Sequence, residues 1–306
     1  MANATIATSL PEELSNALVT LFGSHPGFRE IHAKGVVCEG TFTPTAEAKS
    51  VCRAKHFAHA VPVTVRFSDF AGIPTIPSTD ANASPHGLGV KFHVGSAETD
   101  IVGHSVDAFP AATGEEFLAF LRALSASGPG VAKPTPLETY LHDHPAAMHF
   151  VKSMSEPPVS YATLAYHMLN AFNFTNADGD ITHGRYHVLP TAGVLRLEPS
   201  LIAKQTPNYL EAELGERLQK APVEFTIALQ IAQPGDPTND CTKLWPVDRR
   251  VVNLGALTIT TLMSDSLERQ RKLLYDPTRL IDGIELSDDP LPAIRSATYA
   301  ISRERR

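Results

Sequence analysis

Short runs rich in β-branched and aromatic residues recur along this chain at irregular intervals, and they constrain its fold more than any other feature. Runs of this composition are typical of β-strands. Long, turn-rich connections separate them, and the regular strand–helix alternation of a parallel sheet is missing. We therefore predict an antiparallel sheet that closes into a barrel. The predicted strands are Lys34–Phe42, Val61–Phe67, Gly87–Phe92, Leu195–Glu198, Val223–Ala232 and Val251–Thr261.

Helical patterns occupy other stretches of the sequence. Pro11, followed by leucines on one face, predicts a helix at residues 10–22, and the last predicted helix lies at about 292–306. We predict one domain of the α+β class over residues 1–306, with a barrel core at about 29–262 and helices packed outside it. The other predicted helical stretches are Glu115–Ser125, Pro136–Asn170 (two or three helices), Tyr209–Ala221 and Asp265–Tyr275.

Composition and charge exclude several classes of partner. The formal net charge is −7 and the pI is near 6.0, whereas nucleic acids and anionic membranes both select clustered Lys and Arg. No apolar stretch approaches the roughly 18 residues of a membrane span, and the N-terminal segment lacks the pattern of a secretion signal. The three cysteines, Cys38, Cys52 and Cys241, predict reduced thiols rather than a disulfide framework, so we expect a cytoplasmic protein.

The predicted C-terminal helix places a tyrosine among arginines. The spacing of Tyr299 from Arg295, Arg303 and Arg306 puts all four side chains within about 80° of one helix face. A neighbouring guanidinium favours an ionised phenol, and a phenolate is a hard anionic ligand for ferric haem iron. The alternative is a packed tyrosine in a helix end whose cations interact with the helix dipole. The same Arg-x-x-x-Tyr spacing ends at Tyr275, so spacing alone does not choose between the two tyrosines.

A histidine and a serine are notable in the N-terminal third. His32 precedes the first predicted strand, and Ser68 directly follows the second. A histidine can move a proton between the two oxygens of a peroxide at neutral pH, and a nearby hydroxyl can fix its tautomer. Arg29 and Arg66 suit haem propionates because a guanidinium forms forked hydrogen bonds with carboxylates. A purely structural histidine at the start of a strand is the alternative.

Six segments resemble segments of the haem catalases and occur in the same order. Arg29–Gly35 is similar to the distal-histidine segment of that family, and Tyr275–Glu285 to the segment that precedes its proximal Arg-x-x-x-Tyr helix. The resemblance runs from about residue 29 to residue 306, and it implies a catalase-like barrel of about eight strands. The other four segments are Val65–Gly72, Pro85–Phe92, Asp100–Gly103 and Thr242–Pro246.

The resemblance also implies a cofactor and residue roles. The cofactor is haem b, and Tyr299 is its axial iron ligand because Tyr275 stands where the family has a phenylalanine. His32 is the expected distal acid and base, and Ser68 is expected to hydrogen-bond to it. The other expected cofactor-binding residues are Arg29, Arg66, Phe109, Phe117, Arg295, Arg303 and Arg306.

The chain departs from the family pattern on the distal side. The family's distal asparagine is replaced by His104, and we expect His104, Ser105 or Asp107 to take its role. Ser84 and His86 stand where the family has an aspartate and an arginine near its access channel. The chain has 31 residues before the distal histidine and seven after the axial tyrosine, an extent that resembles the small catalase-related peroxidases.

These resemblances imply a haem peroxidase that reduces hydrogen peroxide and organic hydroperoxides and has weak catalase activity. An organic electron donor and a second copy in a homodimer are the expected partners, and nucleic acids and membranes are not. Three alternatives stay open at this stage. They are a fatty-acid hydroperoxide isomerase of the allene oxide synthase type, a haem sensor or carrier without turnover, and a haem-free barrel that binds small apolar ligands.

Overall fold

The computed structural model describes residues 8–306, whose strands form one antiparallel sheet. Five of the six extended runs that the sequence predicts become strands because each finds a partner strand in register. The strands are β1 (Gly35–Pro44), β2 (Val61–Ser68), β3 (Gly87–Val94), β4 (Ala97–His104), β5 (Tyr166–His167), β6 (Phe172–Thr175), β7 (Ile181–Pro190), β8 (Val223–Ile231), β9 (Val251–Leu262) and β10 (Ile284–Leu286).

Eight of these strands close into a barrel, as predicted. The order is β7-β5-β4-β3-β2-β1-β9-β8, and the pairing of β8 with β7 closes the ring. β6 pairs with β7 outside the ring, and β10 pairs with β6. Closure removes the exposed sheet edges of these eight strands.

One predicted strand is wrong, and several observed strands were not predicted. Leu195–Glu198 runs into a helix and makes only an isolated bridge, from Arg196 to Pro158. Leu195 is 48% exposed, so its apolar character does not mark a buried strand. β4 and β7 were not predicted, because charged and polar residues interrupt the run of β-branched and aromatic residues by which a strand is recognised in the sequence.

Helices surround the barrel, and the predicted N-terminal and C-terminal helices are present. Pro136–Asn170 contains two of them, and beyond these it continues into a 3₁₀ turn and β5. The helices are α1 (Leu10–Phe22), α2 (Ala48–Val51), α3 (Gly114–Ser125), α4 (Pro136–Asp143), α5 (Pro145–Lys152), α6 (Pro199–Ile202), α7 (Tyr209–Lys220), α8 (Ser266–Lys272) and α9 (Leu291–Glu304). Between residues 8 and 306, no helix combines the length and the apolar character needed to cross a membrane.

The barrel interior is filled with side chains. Phe67 on β2, Tyr166 on β5 and Phe225 on β8 are fully buried, with ring centroids 5.8 to 6.2 Å apart. These strands are not neighbours in the sheet, so the rings meet through the centre of the barrel. A second apolar core lies outside the barrel, where α1 packs against α3 and α9. The space available for a large ligand therefore lies outside the barrel wall.

Candidate active site

A cavity lies between the outer wall of the barrel and helices α1, α3 and α9. Its volume is about 1530 Å³ when the part open to solvent is included. Most of its lining is apolar, and the predicted site residues contribute to it except Arg303 and the alternative distal candidates Ser105 and Asp107. The polar side chains that line it are Arg29, His32, Arg66, Ser68, His104, His167, Asn170, Tyr275, Arg295, Thr298, Tyr299, Ser302 and Arg306.

His32 is held in an unusual backbone conformation. Its φ is 57°, and within residues 8–306 it is the only non-glycine residue with a positive φ. Such a conformation costs about 1–3 kcal/mol and persists only where the surroundings enforce it. The backbone N–H groups of His32 and Ala33 donate to the carbonyls of Phe70 (2.7 Å) and Ala71 (3.1 Å), which ties this turn to the segment after β2.

The contacts of the His32 ring determine its tautomer. Nδ1 lies 3.1 Å from the carbonyl oxygen of Asp69 and 3.2 Å from the hydroxyl of Ser68. A carbonyl oxygen can only accept, so Nδ1 carries the hydrogen and Nε2 keeps its lone pair. The predicted Ser68 contact exists, but the backbone carbonyl decides the tautomer. Nε2 is therefore the atom that can take a proton from a peroxide.

His32 is neutral at ordinary pH. Burial and then the nearby Arg66 guanidinium lower its pKa to about 3. The cationic form is disfavoured because it would lose hydration and lie close to another positive charge. A neutral imidazole is the form that a general base requires.

Asp69, whose backbone carbonyl orients His32, is held in place through its own buried carboxylate. Oδ1 of Asp69 accepts hydrogen bonds from Tyr161 (2.8 Å) and His86 (3.1 Å), and Oδ2 accepts one from Ser78 (2.7 Å). Burial alone would raise the pKa of Asp69, but the hydrogen bonds from His86 and Ser78 outweigh it and the pKa is lowered. Sequence reasoning missed Asp69, and the structure places His86 in this network rather than in the cavity lining.

Gly87 makes room for the histidine and the serine. A Cβ atom at position 87 would lie 2.6 Å from Oγ of Ser68 and 2.8 Å from Nδ1 of His32. Both distances are shorter than van der Waals contact, so a larger residue would displace one of the two side chains.

Gly87→Ala is expected to lower kcat/KM for hydrogen peroxide by about 10- to 100-fold, because a displacement of about 1 Å in a catalytic group costs up to 10²-fold. Haem content, measured by its absorption band, should stay near that of the wild type. Gly128→Ala is the matched control, since a Cβ atom there meets nothing within 4 Å. Equal peroxide kinetics in the two variants would contradict the tight fit around His32.

Tyr299 on α9 lies at the end of a chain of hydrogen-bonded polar side chains. The Nε–H of Arg295 donates to the Tyr299 oxygen at 3.0 Å, and Nη1 donates to Oδ1 of Asn170 at 2.8 Å. The Asn170 amide in turn donates to Asp289 at 2.8 Å. The phenol oxygen of Tyr299 thus accepts a hydrogen bond from a charged donor. Asn170 and Asp289 were not predicted, because nothing in the sequence links them to a tyrosine on α9.

Tyr275 lines the same cavity but has a different role. Its hydroxyl donates to the carbonyl of Thr64 at 3.3 Å, so the oxygen keeps its proton. Burial raises the pKa of Tyr275 well above its usual range. Its ring covers Gly89, where a Cβ atom would lie 2.8 Å from the ring. The contacts favour Tyr299 over Tyr275 as the anionic ligand.

Three cavity arginines lack a carboxylate partner among the described residues. Arg29 and Arg306 donate to the carbonyl of Leu273 at 2.8 and 3.0 Å, and Arg66 donates to the Gln270 side chain at 2.9 Å. Nε of Arg306 is buried without a partner within residues 8–306. Burial lowers the pKa of Arg66 and Arg306 to about 10, so both remain charged at neutral pH. Such a cluster is suited to an anion.

Arg303 does not reach the cavity, although it was predicted to bind the cofactor. Its side chain is exposed and is absent from the lining. On α9, Arg295 and Tyr299 face the cavity about 40° apart and Arg303 lies about 80° from Arg295, whereas Arg306 follows the end of the helix and lines the cavity from there. The predicted face was therefore too wide.

His104 is the only one of the three predicted distal candidates that lines the cavity. The hydroxyl of Ser105 accepts a hydrogen bond from the backbone N–H of His86 at 3.0 Å and lies outside the cavity lining. The side chain of Asp107 is 47% exposed. Burial, followed by the charge of Arg295, lowers the pKa of His104 to about 3. The Val106 N–H donates to its Nδ1 at 3.4 Å, which leaves the hydrogen on Nε2.

The two predicted phenylalanines are adjacent in the cavity. The ring centroids of Phe109 and Phe117 are 5.3 Å apart, and the Phe109 ring is stacked 6.2 Å from that of His104. Both residues line the cavity together with Phe70, whose ring packs edge-on to His32 at 5.5 Å. The side of the cavity that holds His32 and His104 is thus walled by aromatic rings.

Comparison with known proteins identifies the family. The fold matches a fungal catalase with a TM-score of 0.81 and 19% identity, over 92% of this chain and 60% of that one. The catalase family profile matches residues 27–306. The chain therefore belongs to the catalase family. It is 35% identical to a catalase-related peroxidase of Mycolicibacterium paratuberculosis, over 95% of this chain and 93% of that protein. A catalase-related peroxidase of Synechococcus elongatus is 33% identical, over 97% and 88% of the two chains.

Membership of this family implies a haem cofactor, and the cavity residues fit one. The unpartnered Nε of Arg306 lies among cations that would meet carboxylates. The Tyr299 oxygen, hydrogen-bonded by Arg295, is a donor atom of the type that ferric iron prefers. The apolar lining between these two groups suits a flat macrocycle.

Proposed function

We propose that this protein is a haem b-dependent peroxidase that reduces hydrogen peroxide and organic hydroperoxides. One observation carries the proposal: a single cavity contains a histidine with a free Nε2 lone pair and a tyrosine oxygen that accepts a hydrogen bond from an arginine. When bound, haem supplies the redox chemistry that cleaves the O–O bond and accepts electrons from a donor.

His32 moves the proton in this proposal. Nε2 takes the proton of the bound peroxide, and the resulting imidazolium returns it to the oxygen that leaves. The Asp69 carbonyl holds Nδ1–H throughout, so the ring does not rotate away. The Nε2–H of His104 is a donor in the same cavity that can orient the peroxide.

The remaining cavity residues hold the cofactor. Tyr299 would bind the iron, and Arg295 would stabilise its negative charge. Arg29, Arg66 and Arg306 would bind the propionates through their free N–H groups. Phe109 would pack on the macrocycle.

An apolar lining favours hydroperoxides that carry organic groups. We expect the rate with cumene hydroperoxide and an organic donor such as guaiacol to exceed the rate of oxygen evolution from hydrogen peroxide, per haem. Donor oxidation is followed by absorbance and oxygen by an electrode. Oxygen evolution at an equal or greater rate would contradict this ranking.

The same purified protein, assayed with a lipid hydroperoxide, distinguishes the proposed peroxidase from a fatty-acid hydroperoxide isomerase. An enzyme of the allene oxide synthase type would consume a lipid hydroperoxide without any donor, and would give an epoxide with the loss of one water or the ketol that forms when this epoxide is hydrolysed. A peroxidase gives the alcohol and requires the donor, and product analysis by mass spectrometry distinguishes the two. Dimer formation and a cytoplasmic location stay predictions from the sequence.

A further inference from the structure

Three histidines lie side by side across neighbouring strands of the barrel wall. His104 on β4 is the register partner of His167 on β5, and His167 is the register partner of His187 on β7. Register partners on antiparallel strands project their side chains from the same face of the sheet. We call this row the histidine ladder: His104, His167 and His187.

The ladder begins in the cavity and reaches solvent. His104 and His167 both line the cavity. Nδ1 of His167 lies 3.0 Å from Nδ1 of His187 and 3.6 Å from Oδ1 of Asp107. The side chain of His167 is 19% exposed and that of Asp107 is 47% exposed. His167 therefore lies both in the cavity lining and next to partly exposed side chains at the protein surface.

The contact between the two Nδ1 atoms requires one ring to donate and the other to accept. Because a neutral imidazole carries one hydrogen, one ring holds it on Nδ1 and the other on Nε2. His187 is half-buried and lies outside the cavity lining, so a proton that it takes from solvent can be relayed to His167 through the shared hydrogen bond. The charged or polar groups around the ladder are Asp107, Arg185 on β7, Gln230 on β8 and Arg295 on α9.

The ladder has no evident metal-binding role. In the part of the chain that the structure describes, no group of three or more His, Cys, Asp or Glu side chains is placed to hold a metal ion. The Nδ1 atoms of His167 and His187 instead contact each other at 3.0 Å. Proton transfer is the chemistry that this arrangement supports.

Peroxide reduction by an electron donor consumes protons. The balanced reaction is ROOH + 2e⁻ + 2H⁺ → ROH + H₂O, in which the O–O bond breaks and two donor molecules each lose one electron. When the donor brings no proton of its own, both protons must enter the cavity from solvent. Disproportionation of hydrogen peroxide to water and oxygen has no net proton requirement.

We infer that the histidine ladder conducts these protons from solvent to the cavity. The inference rests on the proposed peroxidase function. It assigns a role to His187, which does not line the cavity, and to His167, which joins His187 to the cavity.

The test compares donors that do and do not bring protons. In the haem-loaded His187→Gln variant, turnover with cumene hydroperoxide and hexacyanoferrate(II), which supplies only electrons, should fall about tenfold or more, towards the 10²-fold that a positioned proton-transfer group contributes. Turnover with guaiacol and oxygen evolution from hydrogen peroxide should stay within twofold of the wild type. Added imidazole should restore part of the lost rate.

His183→Gln is the matched control, because His183 is an exposed histidine of the same strand that contacts Asn173 instead. A second readout does not need turnover. An exchangeable low-field proton resonance from the shared Nδ1 hydrogen bond should be present in the resting protein and absent from the His187→Gln variant.

The possible failures are distinguishable. A His187→Gln variant that matches the wild type with hexacyanoferrate(II) would overturn the ladder and leave the peroxidase intact. An equal loss with guaiacol would also overturn it, since a general structural defect would then explain the change. A wild-type protein that binds haem but oxidises no donor would overturn the proposed function itself.

Discussion

Tyr299→Phe is expected to abolish stable haem binding. The substitution removes the phenol oxygen to which the Arg295 guanidinium donates and leaves the apolar ring in place. Loss of a residue that merely supports a metal ligand costs roughly 10- to 100-fold in affinity, and loss of the ligand itself should exceed that. Haem titration of the purified protein, followed by its Soret absorbance, measures the effect.

Tyr275→Phe is the matched control for that experiment. It deletes the same hydroxyl group from another tyrosine of the same cavity, where the lost bond goes to a backbone carbonyl. We expect this variant to retain haem and most of its activity. Loss of haem from Tyr275→Phe, with retention in Tyr299→Phe, would reverse the assignment of the iron ligand.

His32→Ala is expected to retain haem and to lose about 10²- to 10⁴-fold in kcat/KM for peroxide, the usual contribution of a positioned acid–base group. The structural reason is the loss of Nε2, the free base in the cavity. Stopped-flow measurement of peroxide consumption tests this directly. His142→Ala, at an exposed position on α4, is the control that removes a histidine elsewhere.

The pH dependence offers a check on the same residue. Protonation of His32 removes the Nε2 lone pair, so activity should be lost as the pH falls through the pKa of His32. Since burial and Arg66 lower that pKa to about 3, the acidic loss should lie well below pH 6.5, where an ordinary histidine titrates. For the His32→Ala variant of the preceding experiment, peroxide kinetics equal to those of the wild type would favour a haem sensor or carrier over a peroxidase.

The sequence by itself determined the architecture and the main pair of residues. The β-branched runs predicted an antiparallel barrel, and its closure through β7 and β8 agrees. The order of the resembling segments singled out His32 and Tyr299, and the structure places both in one cavity. The sequence could predict the barrel and these two residues because each depends on a local pattern, namely the composition of a strand, the spacing of residues on a helix or the order of residues in a short segment.

Only the tertiary structure decided which neighbours act on those residues. The Asp69 carbonyl that sets the tautomer of His32, and the Asn170 amide that meets Arg295, are brought in by chain segments 37 and 125 residues away. The tertiary structure also decided that His104 rather than Asp107 lines the cavity, that Arg303 lies outside it, and that three histidines form the ladder. Strand register and helix packing create these contacts, and a linear pattern does not contain the distances between segments that meet only in the folded chain.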